Sequence, residues 1–198
     1  MKKENQLEEN LKELQADLDK LSKDSAIISG FKEITEICSD ALVSGNTLYF
    51  AGNGGSAAEA QHIAAEFVGR FKLERDGYPA IALTTDTSVI TAIANDYSFD
   101  EIFSRQVQAL VRKKDVVFLL STSGNSKNLI KACVEAKKND AICIALLGKN
   151  GGLLKQVCDL SITIPSKSTA RIQEFHLFLL HTLCEILELR LSNMGLNL

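Results

Sequence analysis

Residues 47–56 read Thr47-Leu48-Tyr49-Phe50-Ala51-Gly52-Asn53-Gly54-Gly55-Ser56. The first half, 47–51, is a short apolar run that stops at glycines, so it reads as a buried strand. The second half is a glycine-rich turn that opens a helix. Outward from this unit the same pattern returns at Ala80–Leu83, Val116–Leu120, Ile142–Leu147 and Leu160–Ile164. Helical segments separate these runs, near 56–71, 87–110, 126–139 and 152–157, and a last one covers about 170–192. Continuous apolar strands alternating with helices predict an α/β fold, a parallel sheet covered on both faces. The two prolines, Pro79 and Pro165, each stand at a strand boundary.

Upstream, residues 4–28 carry Leu7, Leu11, Leu14, Leu18 and Leu21 at helical spacing with charges between them. Ser29-Gly30 reads as an interruption, and a second helical stretch runs to about Val43. This amphipathic start suits oligomer packing better than a linker. The expected organisation is an N-terminal helical extension over 1–29 and one domain over 30–198.

The bulk numbers fit that plan: 198 residues, 45% hydrophobic and 24% charged. A formal net charge of −3 offers no bulk attraction to nucleic acid or an anionic membrane. No apolar run reaches membrane-spanning length, and the polar start lacks a signal-peptide core. A cytoplasmic protein with neither nucleic-acid nor membrane partners is expected. The cysteines Cys38, Cys133, Cys143, Cys158 and Cys184 form no CxxC pair and sit mostly among aliphatic residues. They read as small buried hydrophobes in a reducing compartment.

Ligands in this fold class sit at the carboxyl ends of strands. Two such ends stand out: Gly52-Asn53-Gly54-Gly55-Ser56, and Ser121-Thr122-Ser123-Gly124-Asn125-Ser126 after the strand 116–120. Each opens a helix, whose free N–H groups and partial positive charge suit an anion. Ordinary tight turns and caps use the same residues, but three serine hydroxyls in six residues exceed what one cap needs. Neither loop carries a Walker or GxGxxG pattern. With no lysine in either, they suit a phosphate ester better than a triphosphate.

A second group could move protons. His62 and Glu66 are four apart and share a helical face. His181 lies in an apolar stretch of the last helix, as does His176, which reads as a core histidine. A histidine and a glutamate on one face suit a divalent metal, or a general acid and a general base. The residues alone indicate a phosphate-ester enzyme with an acid–base or metal site, its substrate open.

Four stretches, AGNGGSAAEAQHIAAEFVGRF at 51–71, TTDTSVITAIANDY at 84–97, LLSTSGNS at 119–126 and RIQEFHLFLLHTLCE at 171–185, occur in this order in the sugar isomerase (SIS) family. Over about residues 30–190 the chain resembles the bacterial phosphoheptose isomerases of that family. The resemblance implies a three-layer αβα, flavodoxin-like domain with a five-stranded parallel sheet, assembled as a homotetramer. It implies isomerisation of sedoheptulose 7-phosphate to D-glycero-D-manno-heptose 7-phosphate, the first step towards ADP-heptose for lipopolysaccharide or capsule. It also implies phosphate contacts from Ser56, Ser121, Ser123 and Ser126, and other substrate contacts from Asn53, Gly54, Gly55, Asn95, Asp96, Thr122 and Gln173. By the same resemblance His62, Glu66, Gln173 and His181 would hold one zinc ion, Glu66 serving also as base and His181 as acid. The alternatives are a non-catalytic relative that binds a replication initiator, which needs no acid–base set, and an isomerase or sensor for another sugar phosphate.

One geometric difficulty follows. Gln173 and His181 lie eight residues apart, so a regular helix separates them by about 12 Å and turns them about 80° from each other. A single ion cannot easily be reached by both. Either the helix is irregular near Gln173, or one site takes Gln173 or His181 from a neighbouring subunit.

Overall fold

The computed structural model describes residues 5–194; residues 1–4 of the expected extension and 195–198 of the expected domain lie outside the described residues. Five strands form one sheet: β1 (Leu48–Gly52), β2 (Ala80–Ala82), β3 (Val116–Ser121), β4 (Ile142–Gly148) and β5 (Leu160–Ile164). Every pair is parallel and the order is β2-β1-β3-β4-β5. β1 and β3 are buried along their whole length, which explains why both read as unbroken apolar runs.

Alternate strand residues feed two cores. Leu48, Phe50, Val116, Phe118 and Leu120 face one side, where α2 (Ser25–Val43), α3 (Gly55–Val68) and α8 (Thr169–Asn193) pack. Tyr49, Ala51, Val117 and Leu119 face the other, with α5 (Ser104–Leu110), α6 (Lys127–Lys138) and α7 (Leu154–Val157). The chain leaves β1 for β2 in one direction, then doubles back across β1 to β3. Since parallel crossovers keep one hand, this reversal puts α3 and α6 on opposite faces. A crevice therefore opens between the carboxyl ends of the neighbours β1 and β3.

Three boundaries differ from the sequence expectation. The N-terminal helices break at Asp24, between α1 (Gln6–Lys23) and α2, rather than at Ser29-Gly30. The Asp24 carboxylate caps α2, accepting from Ala26 N at 2.9 Å and Ile27 N at 3.2 Å. Gly30 continues the helix and faces Ile162 of β5. The segment 87–110 is not one helix: α4 (Thr87–Asp96) ends, and a 3₁₀ turn (Phe99–Glu101) leads into α5. The break turns Ile102, Phe103 and Val107 into the core while α4 buries none of its residues. Finally, α3 stops at Val68, and residues 69–78 form a strap leading to β2. Among the described residues no helix is long and apolar enough to cross a membrane.

A Cβ at Gly30 would meet Ile162 Cγ1 at 3.9 Å, an ordinary contact. Gly30→Ala is therefore expected to raise unfolding stability by about 0.5–1 kcal/mol. Asp24→Ala should lower it by about 1 kcal/mol through loss of the cap. Urea unfolding of the two variants checks both signs.

Candidate functional site

The crevice holds a cavity of about 260 Å³ lined by Asn53, Gly55, Ser56, Leu120, Ser121, Thr122, Ser123, Ser126, Thr169 and Gln173. No charged side chain is among them. The N-termini of α3 and α6 both open onto it, so backbone N–H groups and hydroxyls supply its donors. Gly54 has φ 57° and ψ −120°, a conformation only glycine adopts readily. Gly55 makes room: a Cβ there would lie 2.4 Å from Gln173 Nε2.

The serines of the second loop are not equivalent. Ser121 Oγ accepts from Gly124 N at 3.0 Å and Ser123 Oγ from Asn125 N at 3.2 Å. Their oxygens shape the turn and leave the O–H groups to donate. Ser126 is the N-cap of α6, yet its hydroxyl makes no cap bond.

A second constellation lies farther along α3 and α8. These helices run side by side in the same direction: Ser56 meets Gln173, His62 meets His181, and residues just past α3 meet Glu188. His62 Nε2 is 2.8 Å from His181 Nε2 and 3.2 Å from Glu66 Oε1. One ligand atom from each of His62, Glu66 and His181 falls within 4.8 Å of the others, the only such group among the described residues. Two imidazole nitrogens and a carboxylate oxygen are a donor set that zinc accepts, and the apposed ring nitrogens suit a shared cation. Burial, then the neighbouring His62, pull the His181 imidazole below its ordinary value despite the opposing pull of Glu66. Phe71 stacks on the His181 ring, with centroids 5.5 Å apart.

Gln173 does not join this group within the chain. Helix α8 is α-helical throughout, with no irregularity near residue 173, and Gln173 Nε2 lies 3.5 Å from Ser56 Oγ, over the loop cavity. Asn95 and Asp96 end α4 and are exposed. Asp96 lines a separate, mostly apolar cleft of about 520 Å³ between β2, α4 and α5. Gly54 is exposed and not among the residues lining the loop cavity. His176 is fully buried, donates to Leu147 O at 3.1 Å and is pulled to about 4 by burial, the core role expected for it.

Two residues went unread in the sequence. Asn128, 2% exposed, exchanges both amide bonds with Asn53 at 2.8 and 2.9 Å and clasps the two loops together. An asparagine in the first turn of a helix looks like any capping residue, so nothing marks it. Glu59, one turn after Ser56, is 8% exposed, and its Oε2 has no hydrogen-bond partner. Burial pushes its carboxyl up to about 7, against a hydrogen bond with Ser56. A carboxyl shifted that far towards its neutral form carries less than a full negative charge beside the loop cavity.

The chain matches the SIS domain family over residues 11–148, a span that holds both loops, His62 and Glu66 but not His181. The phosphoheptose isomerase of Geotalea daltonii is 54% identical over 158 residues, covering 80% of this chain and 82% of its own length. Phosphoheptose isomerase 1 of Campylobacter jejuni is 47% identical over 170 residues, 85% and 91% of the two chains. Among solved structures, the phosphoheptose isomerase of Francisella tularensis superposes with TM-score 0.90 at 32% identity, covering 94% of this chain and 98% of that one. That of Neisseria gonorrhoeae gives 0.87 at 38%, covering 93% and 97%. The hydroxyl-lined cavity at the strand reversal and the cluster of His62, Glu66 and His181 thus sit in a chain that belongs to the sugar isomerase (SIS) domain family, among the phosphoheptose isomerases.

Proposed function

We propose that the chain interconverts sedoheptulose 7-phosphate and D-glycero-D-manno-heptose 7-phosphate in the cytoplasm, towards ADP-heptose for a bacterial surface polysaccharide. The observation that carries this is the convergence of Glu66, His62 and His181 on two helices whose N-terminal ends flank an uncharged, hydroxyl-lined cavity. Such a cavity holds a phosphate ester by directed donors and positions the sugar. Ketose and aldose differ by one proton moved from C1 to C2 and a second moved from O1 to O2, through an enediol. The Glu66 carboxylate takes that proton from C1 and returns it to C2. His181 moves the proton between O1 and O2.

His62, Glu66 and His181 would hold a zinc ion, joined by Gln173. Bound there, zinc would stabilise negative charge on the enediol oxygens. Within one chain Gln173 faces the loops, about 12 Å along α8 from His181. The reading therefore assigns Gln173 to a neighbour's cluster, with active sites at subunit interfaces of a homotetramer. Residues 1–29 act in it as the packing extension of the domain 30–198, because Leu7, Leu11 and Leu18 leave an exposed apolar stripe on α1.

Glu66→Gln keeps shape and loses the base. It is expected to cut aldose formation from sedoheptulose 7-phosphate by about 10²–10⁴-fold while the unfolding transition stays in place. Near wild-type turnover in that assay would sink the proton-transfer scheme. Ser126→Ala should weaken inorganic phosphate binding by about 1–3 kcal/mol without loss of stability, since its hydroxyl caps nothing. Ser121→Ala should weaken phosphate and also loosen the fold; calorimetric titration and thermal unfolding separate the two effects.

The shared site is tested by mixing inactive variants under subunit exchange. Glu66→Gln with Gln173→Ala should recover activity, because a mixed interface can contain one intact set. Glu66→Gln with His181→Ala should not, because those residues converge within one chain. If the first mixture stays inactive although exchange is confirmed, each site is confined to one chain.

A further inference from the structure

The strap 69–78 gives no residue to the cavity lining or to the metal-ligand set and touches that set only through the Phe71 ring, yet it is bound tightly to both helices. Glu188 of α8 is 1% exposed and accepts from Lys72 N at 2.8 Å, Leu73 N at 2.9 Å, Phe71 N at 3.0 Å and Arg75 Nε at 2.9 Å. Arg75, its side chain 5% exposed, turns back to α3. Its Nη2 donates to Glu66 O at 2.8 Å and its Nη1 to Phe67 O at 2.9 Å. These carbonyls belong to the last turn of α3, where intrahelical partners run out and a cation is favoured. The guanidinium also lies 3.9 Å from the Tyr78 ring centroid.

A closed loop of contacts results. It passes from the backbone of Glu66 through Arg75 to Glu188, then up α8 to His181, seven residues or about 10 Å away. From His181 it returns through the stacked Phe71 ring, whose backbone N–H is itself held by Glu188. A surface ion pair would anchor a loop and nothing more. This pair is buried: Arg75 binds the helix that carries Glu66, and Glu188 belongs to the helix that carries His181.

We propose that Arg75 and Glu188 are positioning residues for the isomerisation: through the strap they set Glu66 against His181, and Phe71 sets the plane of the His181 imidazole. The inference rests on the reading of Glu66 and His181 as base and acid. Arg75 acts on the backbone of α3, Glu188 on the backbone of the strap, and Phe71 on the His181 ring. Displacements of about 1 Å at reacting groups can cost about 10²-fold in rate.

The test uses Phe71→Leu, Glu188→Gln and Arg75→Lys in the full chain. For each, kcat on sedoheptulose 7-phosphate should fall about 10–100-fold, with KM and phosphate affinity within about twofold of wild type. The cavity lies at the other end of the helices, so only turnover should move. In Glu188→Gln the His181 imidazole ¹⁵N resonances should shift, although Glu188 does not reach that ring. The double variant Phe71→Leu/Glu188→Gln should lose no more than its worse single, because both act through one ring of contacts. Unchanged kcat in the folded variants, or unchanged His181 resonances, overturns the proposal. If Glu188→Gln does not fold, Phe71→Leu decides, since it leaves every strap hydrogen bond in place. If the wild type forms no aldose, or Glu66→Gln retains turnover, the acid–base reading has failed instead, and the His181 resonances still report whether the strap orients that ring.

Discussion

Helices α3 and α8 pack in parallel through Ala60, Ile63, Ala64 and Phe67 on one side and Leu180, Leu183 and Leu187 on the other. Small residues on α3 let the two axes approach. The shared direction then matches the helices level by level: Ser56 with Gln173, His62 and Glu66 with His181, and the strap with Glu188. Each site residue would be an isolated surface group without that pairing. The contact itself is apolar, so the core that holds the domain together also aligns its chemistry.

Three carboxyl groups near this seam are handled in different ways. Glu66 keeps part of its side chain in solvent and faces two imidazoles. Glu59 is buried with one oxygen unpartnered, and burial drives it towards its neutral form. Glu188 is buried too, and burial alone would raise it. The amides of Lys72, Leu73 and Phe71 and the Arg75 guanidinium outweigh that and hold it below the usual carboxylate value. Leaving such a group without partners would cost several kcal/mol, so Glu188 and the strap residues that satisfy it constrain one another.

The loop cavity is lined by neutral side chains only, a lining suited to a phosphate ester held by directed hydrogen bonds. Its shape depends on backbone as much as on side chains: Gly54 adopts a glycine conformation, Gly55 leaves space for Gln173, and Asn53 and Asn128 bridge the loops. The match to the SIS domain family spans both loops, whereas His181 of the cluster lies outside it.

By itself the sequence determined the elements and their alternation. Unbroken apolar strands are buried on both faces, and two glycine- and serine-rich turns after strands stood out as candidate anion loops. The resemblance carried His62, Glu66, Gln173 and His181 as a set, and helical spacing alone showed that Gln173 and His181 could not readily share an ion within one regular helix. Tertiary structure decided the rest. Gly30 reads as a breaker but continues α2, because a helix packed against Ile162 tolerates a glycine and Asp24 supplies the stronger stop signal. Residues 87–110 read as one helix but divide, because Ile102 and Phe103 must enter the core. The clasp of Asn53 with Asn128, the burial of Glu59 and the ring from Arg75 to Glu188 join residues far apart in the chain. No local pattern marks such partners, since only the packing of helices and loops brings them within hydrogen-bond distance.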